Sequence, residues 1–260
     1  MEGKPLITLT SDFGLADSYA AQIKGVILNI NPLSTIVDIT HEINKFNIQT
    51  GAFMLASAVP YFPKGTIHVA IVDPGVGTKR RALLIITKQG YFIGPDNGLL
   101  ILAAEHQEIT NVYEILNTKY MLPHISETFH GRDVFAPVAA YLEKGVKPEE
   151  FGSIIDDPVK PDFIQIKHKK NNIHCSVLHI DSFGNIITNL EKNHVPPGTL
   201  NITLQDICFE LELKKTYGET KPKDPTAIIG SHGFLEIAVN QGNAADIYHI
   251  KIGNKITIKT

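Results

Sequence analysis

The sequence predicts an N-terminal α/β domain with a mostly parallel sheet, followed by an all-β antiparallel barrel or sandwich domain. Three observations predict it. Apolar, β-rich runs alternate with helix-period segments as far as Leu142, the pattern of a layered α/β unit. The helical period stops near Phe151. Beyond it come short strand-like runs punctuated by Pro-Gly, Tyr-Gly and Gly-Asn turns, which suit a small barrel or sandwich.

Leu6 to Thr10 is β-rich and ends in the turn signal Ser11-Asp12-Phe13-Gly14. Ser18 to Ile30 reads as a helix stopped near Pro32, and Thr35 to Ile39 as a second strand. Ile48 to Val59 has helical spacing and is closed by Pro60. Thr66 to Val72 is almost wholly apolar, as a strand covered on both faces should be. Ala82 to Thr87 and Tyr91 to Gly94 flank a Gln89-Gly90 turn as a hairpin. Leu99 to Glu105 and Val134 to Leu142 are further helices. Gly152 to Asp162 is rich in Asp and Pro without a period and reads as a linker. Strands are expected at Val177 to Ile180, Ile186 to Asn189, Leu200 to Leu204, Cys208 to Leu213, Phe234 to Val239 and Lys255 to Lys259. The domains are drawn at 1–155 and 169–260, joined by 156–168.

Composition narrows the function. An apolar fraction of 43% supports a packed core, and a net charge of −3 offers no basic field for nucleic acid. No run approaches the ~18–20 apolar residues of a membrane-spanning helix, and the start of the chain does not read as a signal peptide. Cys175 and Cys208 fit neither a metal spacing nor a disulfide framework, so a reduced cytoplasmic protein is expected. There is no Gly-x-Gly-x-x-Gly, Walker loop, Gly-x-Ser-x-Gly or paired-histidine motif. Ordinary nicotinamide, kinase and serine-hydrolase chemistry therefore lack support.

Polar clusters punctuate the elements. Asp12 and Asp17 follow the first strand, where an open α/β sheet places its ligands; a carboxylate there suits a ribose diol or a helix cap. Asp73-Pro74-Gly75-Val76-Gly77 ends an apolar strand, and Arg80 and Arg81 follow it. Adjacent arginines on an extended segment face opposite ways, so one points inward. His130 precedes a helix, and Arg132 and Asp133 pair or cap it. His41-Glu42 reads as structural or pocket-lining. Asp181-Ser182-Phe183-Gly184-Asn185 suits a hairpin turn with a left-handed glycine as well as a ligand contact. Glu236, in an apolar strand, is either an edge charge or a buried acceptor.

Taken in order, Ser11-Asp12-Phe13-Gly14, Asp73-Pro74-Gly75-Val76-Gly77, Pro95-Asp96-Asn97-Gly98-Leu99-Leu100, Phe129-His130-Gly131-Arg132-Asp133 and Asp181-Ser182-Phe183-Gly184-Asn185 closely resemble the S-adenosylmethionine (SAM) hydroxide adenosyltransferases, or SAM hydrolases. These are relatives of the SAM-dependent fluorinase and chlorinase. The resemblance covers essentially the whole chain. It implies the two-domain fold and a homotrimer with SAM held between one subunit's N-domain and its neighbour's C-domain. It also implies hydrolysis of SAM to adenosine and L-methionine, with SAM as substrate and neither cofactor nor metal.

By the same resemblance Asp73, Arg80 and His130 hold and activate the water, and Asp12 takes the ribose. Asp181 and Asn185 bind the nucleoside or the amino acid, Phe183 stacks on adenine, and Ser231, Glu236 and the Val239 backbone add contacts. His232 stands where the halogenases carry Arg, and Tyr19 where Ser is common among them. The chemistry is consistent with this. A sulfonium leaving group needs a nucleophile but no acid, imidazole is a base near neutrality, and Arg80 stays protonated. A halogenase on the same scaffold and a non-catalytic nucleoside-binding module are the alternatives.

Overall fold

The computed structural model describes residues 6–259. The chain divides into two compact units, the first ending at Lys160 and the second beginning at Pro161.

The first unit runs β1 (Ile7–Ser11), α1 (Tyr19–Ile30), β2 (Ile36–Thr40), α2 (Ile48–Ala58), β3 (Ile67–Ile71), β4 (Ala82–Thr87), β5 (Tyr91–Pro95), α3 (Ile101–His106), β6 (Ile109–Ile115), α4 (Ala136–Glu143) and β7 (Gly152–Ile154). Its seven strands lie in the order β2-β1-β3-β5-β4-β6-β7. The four strands from β2 to β5 run parallel, and β4, β6 and β7 extend them antiparallel.

Alternation along β1 and β3 sends Ile7, Leu9, Ile67, Val69 and Ile71 into one core with Ile23 and Ile27 of α1 and Val138 of α4. The intervening Thr8 and His68 meet on the opposite face, Thr8 Oγ1 lying 2.8 Å from His68 Nδ1. Helix α2 needs Gly51 for its close approach: a Cβ there would lie 2.8 Å from Leu99 and 3.1 Å from Val72. Both faces of β3 are thus covered, and all five of its residues are buried, as its apolar sequence anticipated.

Some local expectations need correction. The segment from Gly152, read as linker, begins with β7, because residues 152–154 find an edge to pair with on β6. The chain then stays tied to the first unit: the Val159 N–H donates to Asp96 Oδ1 at 2.8 Å. Strand β6 itself went unread. It opens after Glu108, which takes a left-handed turn (φ 59°) without glycine. The helix expected from Val134 starts at Ala136, because Val134 and Phe135 belong to a π-helical turn, Gly131–Phe135.

The second unit runs β8 (Lys167–Lys169), β9 (Asn172–Ile180), β10 (Ile186–Glu191), β11 (Thr199–Leu204), β12 (Ile207–Lys214), β13 (Pro225–Ile229), β14 (Phe234–Val239), α5 (Ala244–Ile247) and β15 (Lys255–Lys259). Seven strands close into a barrel in the order β9-β10-β14-β13-β12-β11-β15, with β8 paired to β9 outside the ring. Closure removes the open edges that a small sheet would expose. Alternate residues of the strands, Ile202 and Leu204, Phe209 and Leu211, Ile256 and Ile258, fill the interior. The barrel is antiparallel except where β12 and β13 pair in parallel over Leu213–Ala227 and Lys214–Ile228. Strand β13 was hidden by the proline that starts it, and α5 interrupts a half in which no helix was expected.

Burial lowers the pKa of His68 from 6.5 to about 4. Between those values the unfolded chain binds a proton that the folded chain refuses. Stability is therefore full above the unfolded pKa and falls as pH drops from 6.5 toward 4, by an amount on the order of 3 kcal/mol for this shift. Urea unfolding across that window should show the loss, and His68→Leu should flatten the slope even if it lowers stability at neutral pH. An unchanged slope would exclude His68 as its source.

Candidate active site

Strand order places the site. The chain leaves β1 for β2 on one side and returns to β3 on the other, so the sheet's direction of winding switches between β1 and β3. Ligands in open α/β sheets bind in the crevice outside the strand ends at such a point. Asp12 directly follows β1, and Asp73 lies two residues past the end of β3.

The loop after Asp73 returns Arg80 onto it. Arg80 Nε donates to Asp73 Oδ1 and Oδ2 at 2.9 and 3.0 Å, and Nη2 donates to Oδ2. The turn needs Gly77 (φ 75°), where a Cβ would lie 2.2 Å from the Glu127 carbonyl. The same Arg80 Nη2 lies 3.0 Å from His130 Nδ1. A guanidinium only donates, so Nδ1 is the acceptor and the neutral ring carries its proton on Nε2. Arg80 also lies over Phe135, 5.2 Å from the ring centroid.

His130 is delivered by the π-helical turn, a device that widens one turn and re-aims its side chains. Asp133, fully buried in that turn, anchors it by accepting from the Ser126 N–H at 2.8 Å and from Arg132 Nε at 2.6 Å. Burial lowers the His130 pKa below its ordinary value, and the Arg80 charge lowers it further; Asp73 and Asp133 oppose them.

A second set of contacts fixes Asp12, which is buried. The Phe46 N–H donates to Asp12 Oδ2 at 2.8 Å, and Lys45 Nζ donates to the Asp12 carbonyl. The segment 41–46 is held in turn by His41. Its Nδ1 lies 2.6 Å from Ser11 Oγ, and its Nε2 lies 3.1 Å from Asp38 Oδ1. Burial alone would raise the Asp38 pKa, but Lys24 and His41 hold it below the usual range. His41 is therefore structural, as one of its two expected readings had it.

These groups open on a cavity of about 340 Å³ lined by Asp12, Asp73, His130, Phe13, Tyr19 and Phe129, among others. Arg80 lies behind Asp73 and His130. Arg81 points the other way and is not merely solvated: it bridges Asp96 at 2.7 Å and Asp157 at 2.6 Å. Among the described residues, no group of three or more His, Cys, Asp or Glu side chains is arranged to hold a metal ion.

The second unit has a cavity of about 550 Å³ lined by Asp181, Phe183, Asn185, Tyr217 and Val239 with the residues 240–242 that follow. Asp181 Oδ1 accepts the Phe183 and Asn185 N–H groups, each at 2.9 Å, around Gly184 with φ 84°. The turn reading of this motif thus holds, and Asp181, Phe183 and Asn185 also line a cavity. Phe183 is 75% exposed, an apolar ring turned to solvent. Glu236 is no edge charge: β14 lies between β10 and β13, and Glu236 is buried there, accepting from Tyr217 Oη at 2.5 Å, with His232 Nε2 3.3 Å away. Ser231 is exposed, and neither it nor Glu236 lines this cavity.

The sequence reading missed Asp38, Lys45, Phe46 and Tyr217. No motif marked them: Lys45, Phe46 and Tyr217 are distant in sequence from the residues they touch, and Asp38 meets His41 three residues on from within an ordinary strand.

Fold and site together define a two-unit ligand-binding protein, an α/β unit with a carboxylate–guanidinium–imidazole centre at its strand ends followed by a closed barrel. The chain belongs to the SAM hydroxide adenosyltransferase family: the family's N-terminal domain matches residues 7–152 and its C-terminal domain residues 175–257. It is 40% identical to the (R)-S-adenosyl-L-methionine hydrolase of Methanocaldococcus jannaschii, over 97% of this chain and 95% of that protein. It is 28% identical to a fluorinase of Actinoplanes sp., over 98% of each. An uncharacterized conserved protein from Thermotoga maritima, solved by crystallography, superposes with a TM-score of 0.88 at 34% identity, covering 98% of this chain and all of that one.

His130 should titrate below 6.5 in an NMR pH series, its signal assigned by loss in His130→Gln. Arg80→Gln removes a cation and should raise the midpoint; Asp73→Asn removes an anion and should lower it. Shifts of opposite sign would refute the contact geometry.

Proposed function

We propose that this protein hydrolyses S-adenosyl-L-methionine to adenosine and L-methionine by in-line attack of water at C5′. The observation that carries the reading is Arg80, forked onto Asp73 and reaching His130 Nδ1 beside the cavity. Family membership and the name of the 40% identical relative support the substrate. That relative's name specifies the (R) form, so the (R)-sulfonium epimer is the one we assign here.

Asp73, His130 and Arg80 divide the work. The His130 lone pair is taken by Arg80, so the imidazole donates from Nε2 to the water oxygen instead of taking its proton. Asp73 accepts the water's O–H and aims a lone pair at C5′. As the C5′–O bond forms, the C5′–S bonding pair passes to sulfur, which leaves as the neutral thioether of methionine. The oxygen becomes strongly acidic in that step, and its proton passes to Asp73 and then to solvent. Arg80 is the positioning residue that holds both partners. Alignment of water and carbon contributes through proximity.

Asp12 takes the ribose hydroxyls, with Oδ2 already fixed by the Phe46 N–H. Phe183 stacks on adenine, and Asp181, Asn185 and Val239, which line the second cavity, complete the contacts from the barrel; Ser231 and Glu236, which do not line it, are given no contact. We further infer a homotrimer, in which SAM lies between the first unit of one subunit and the second unit of its neighbour. That the cavity lined by Asp12, Asp73 and His130 and the cavity lined by Asp181, Phe183 and Asn185 belong to different units supports that arrangement. The two unpaired cysteines suit a cytoplasmic setting. No cofactor enters the reaction as written.

Incubation with each SAM epimer should release adenosine and methionine from the (R) form, with and without chloride; chlorodeoxyadenosine would establish the halogenase instead. Arg80→Ala and His130→Ala should lose at least about a hundredfold in kcat while still binding adenosine. His130→Gln keeps a donor and should exceed His130→Ala; equal rates would restore His130 as the base. Activity should fall on the acid side below pH 6.5, because protonation sets an N–H of His130 against Arg80. Mixing inactive Asp73→Asn and Asp181→Ala subunits should restore turnover if sites are shared between chains, and light scattering should report a trimer.

A further inference from the structure

One wall of the first cavity is aromatic. Phe13 and Phe129 meet edge to face with centroids 5.5 Å apart, Tyr19 and Phe129 likewise at 5.3 Å, and Phe13 and Tyr19 are tilted at 5.8 Å. All three rings line the same cavity of about 340 Å³ as Asp73 and His130. Phe129 already accepts one cation, the Arg132 guanidinium 5.0 Å from its centroid. We propose that Phe13, Tyr19 and Phe129 form the surface that recognises the sulfonium charge of the substrate. This rests on the reading of the protein as a SAM hydrolase.

The geometry of attack brings charge and rings together. An in-line nucleophile approaches C5′ to about 3–3.5 Å, and the sulfur lies one bond beyond. Water held at Asp73 and His130 therefore leaves the sulfonium within the same small cavity. An aromatic face attracts a cation within about 6 Å of its centroid.

The alternatives in the cavity are poorly suited. Asp73 is engaged by Arg80 and Asp12 by the Phe46 N–H. Asp17 is exposed at the rim, and Lys45, itself a cation, is turned onto the Asp12 carbonyl. A free carboxylate against the sulfonium would also compete with water for the activated carbon. An aromatic face supplies electron density without a nucleophilic lone pair.

The kinetic consequence is distinctive. Sulfur loses its positive charge as the C5′–S bond breaks, so the rings stabilise the bound substrate more than the transition state. Removing them should raise KM without lowering kcat. A wall that merely shaped the cavity would not distinguish a sulfonium from a thioether.

The experiment compares equilibrium binding of SAM and of S-adenosylhomocysteine, its uncharged thioether counterpart, alongside initial rates. For Tyr19→Leu and Phe13→Leu, SAM affinity should fall roughly two- to thirtyfold and kcat should not fall, while S-adenosylhomocysteine binding changes much less. Tyr19→Phe should retain the native preference, which also guards against a folding defect. Equal losses for both ligands, or none for either, would overturn the proposal. Failure of the native protein to release adenosine from either epimer would sink the hydrolase reading, while the binding comparison would still decide whether the rings read charge.

Discussion

The site depends on one guanidinium holding two partners of different kinds. Arg80 grips Asp73 through two nitrogens and reaches His130 through one of them. Both charged side chains are more than nine-tenths buried, at 9% and 6% exposure. Burying such a pair is costly, and removing one partner strands the other at a cost of roughly 3–5 kcal/mol. The arrangement is therefore all or none. Its chemical product is a fixed tautomer: the imidazole cannot offer Nδ1 as a lone pair to anything else. That constraint gives water activation to the carboxylate and leaves the ring as a donor.

Around this centre the α/β unit supplies rigidity at the strand ends. Asp12 and Asp73 flank the point where the sheet changes its direction of winding. Asp12 is fixed by residues 41–46, remote in sequence, and Asp73 by its own returning loop. Ser11, His41 and Asp38 form a chain, buried at Ser11 and His41 and exposed at Asp38, that resembles a hydrolytic triad in composition. Ser11 is 1% exposed, however, and its hydroxyl meets its own loop and the ring. Its work is to set the loop, since a loop held at both ends loses little entropy when ligand arrives.

Much of this was legible in the sequence, and the unread parts share physical causes. Apolar runs such as Ile67–Ile71 announced a strand covered on both faces, and the end of the helical period announced a change of architecture. Strand β7 was unreadable because its three residues are strand-like only against β6. Strand β6 followed a left-handed turn at Glu108, where no glycine gave warning. Asp12, Asp73 and His130 were named from motifs and do line one cavity. Phe46 and Tyr217 were not named, since nothing local distinguishes a residue whose role is to touch a distant one.

The sequence by itself determined the periodicities, and with them the α/β unit and the β-rich half. It also determined the motif residues and the family they point to. These follow from local sterics and from where apolar side chains recur along the chain. The tertiary structure alone decided that the barrel closes, that Arg80 grips Asp73 and His130 through a shared nitrogen, that His130 carries its proton on Nε2, and that three aromatic rings share a wall with the reacting groups. Each of those rests on contacts between segments far apart in sequence, and such contacts exist only once packing has chosen among the many pairings the chain allows.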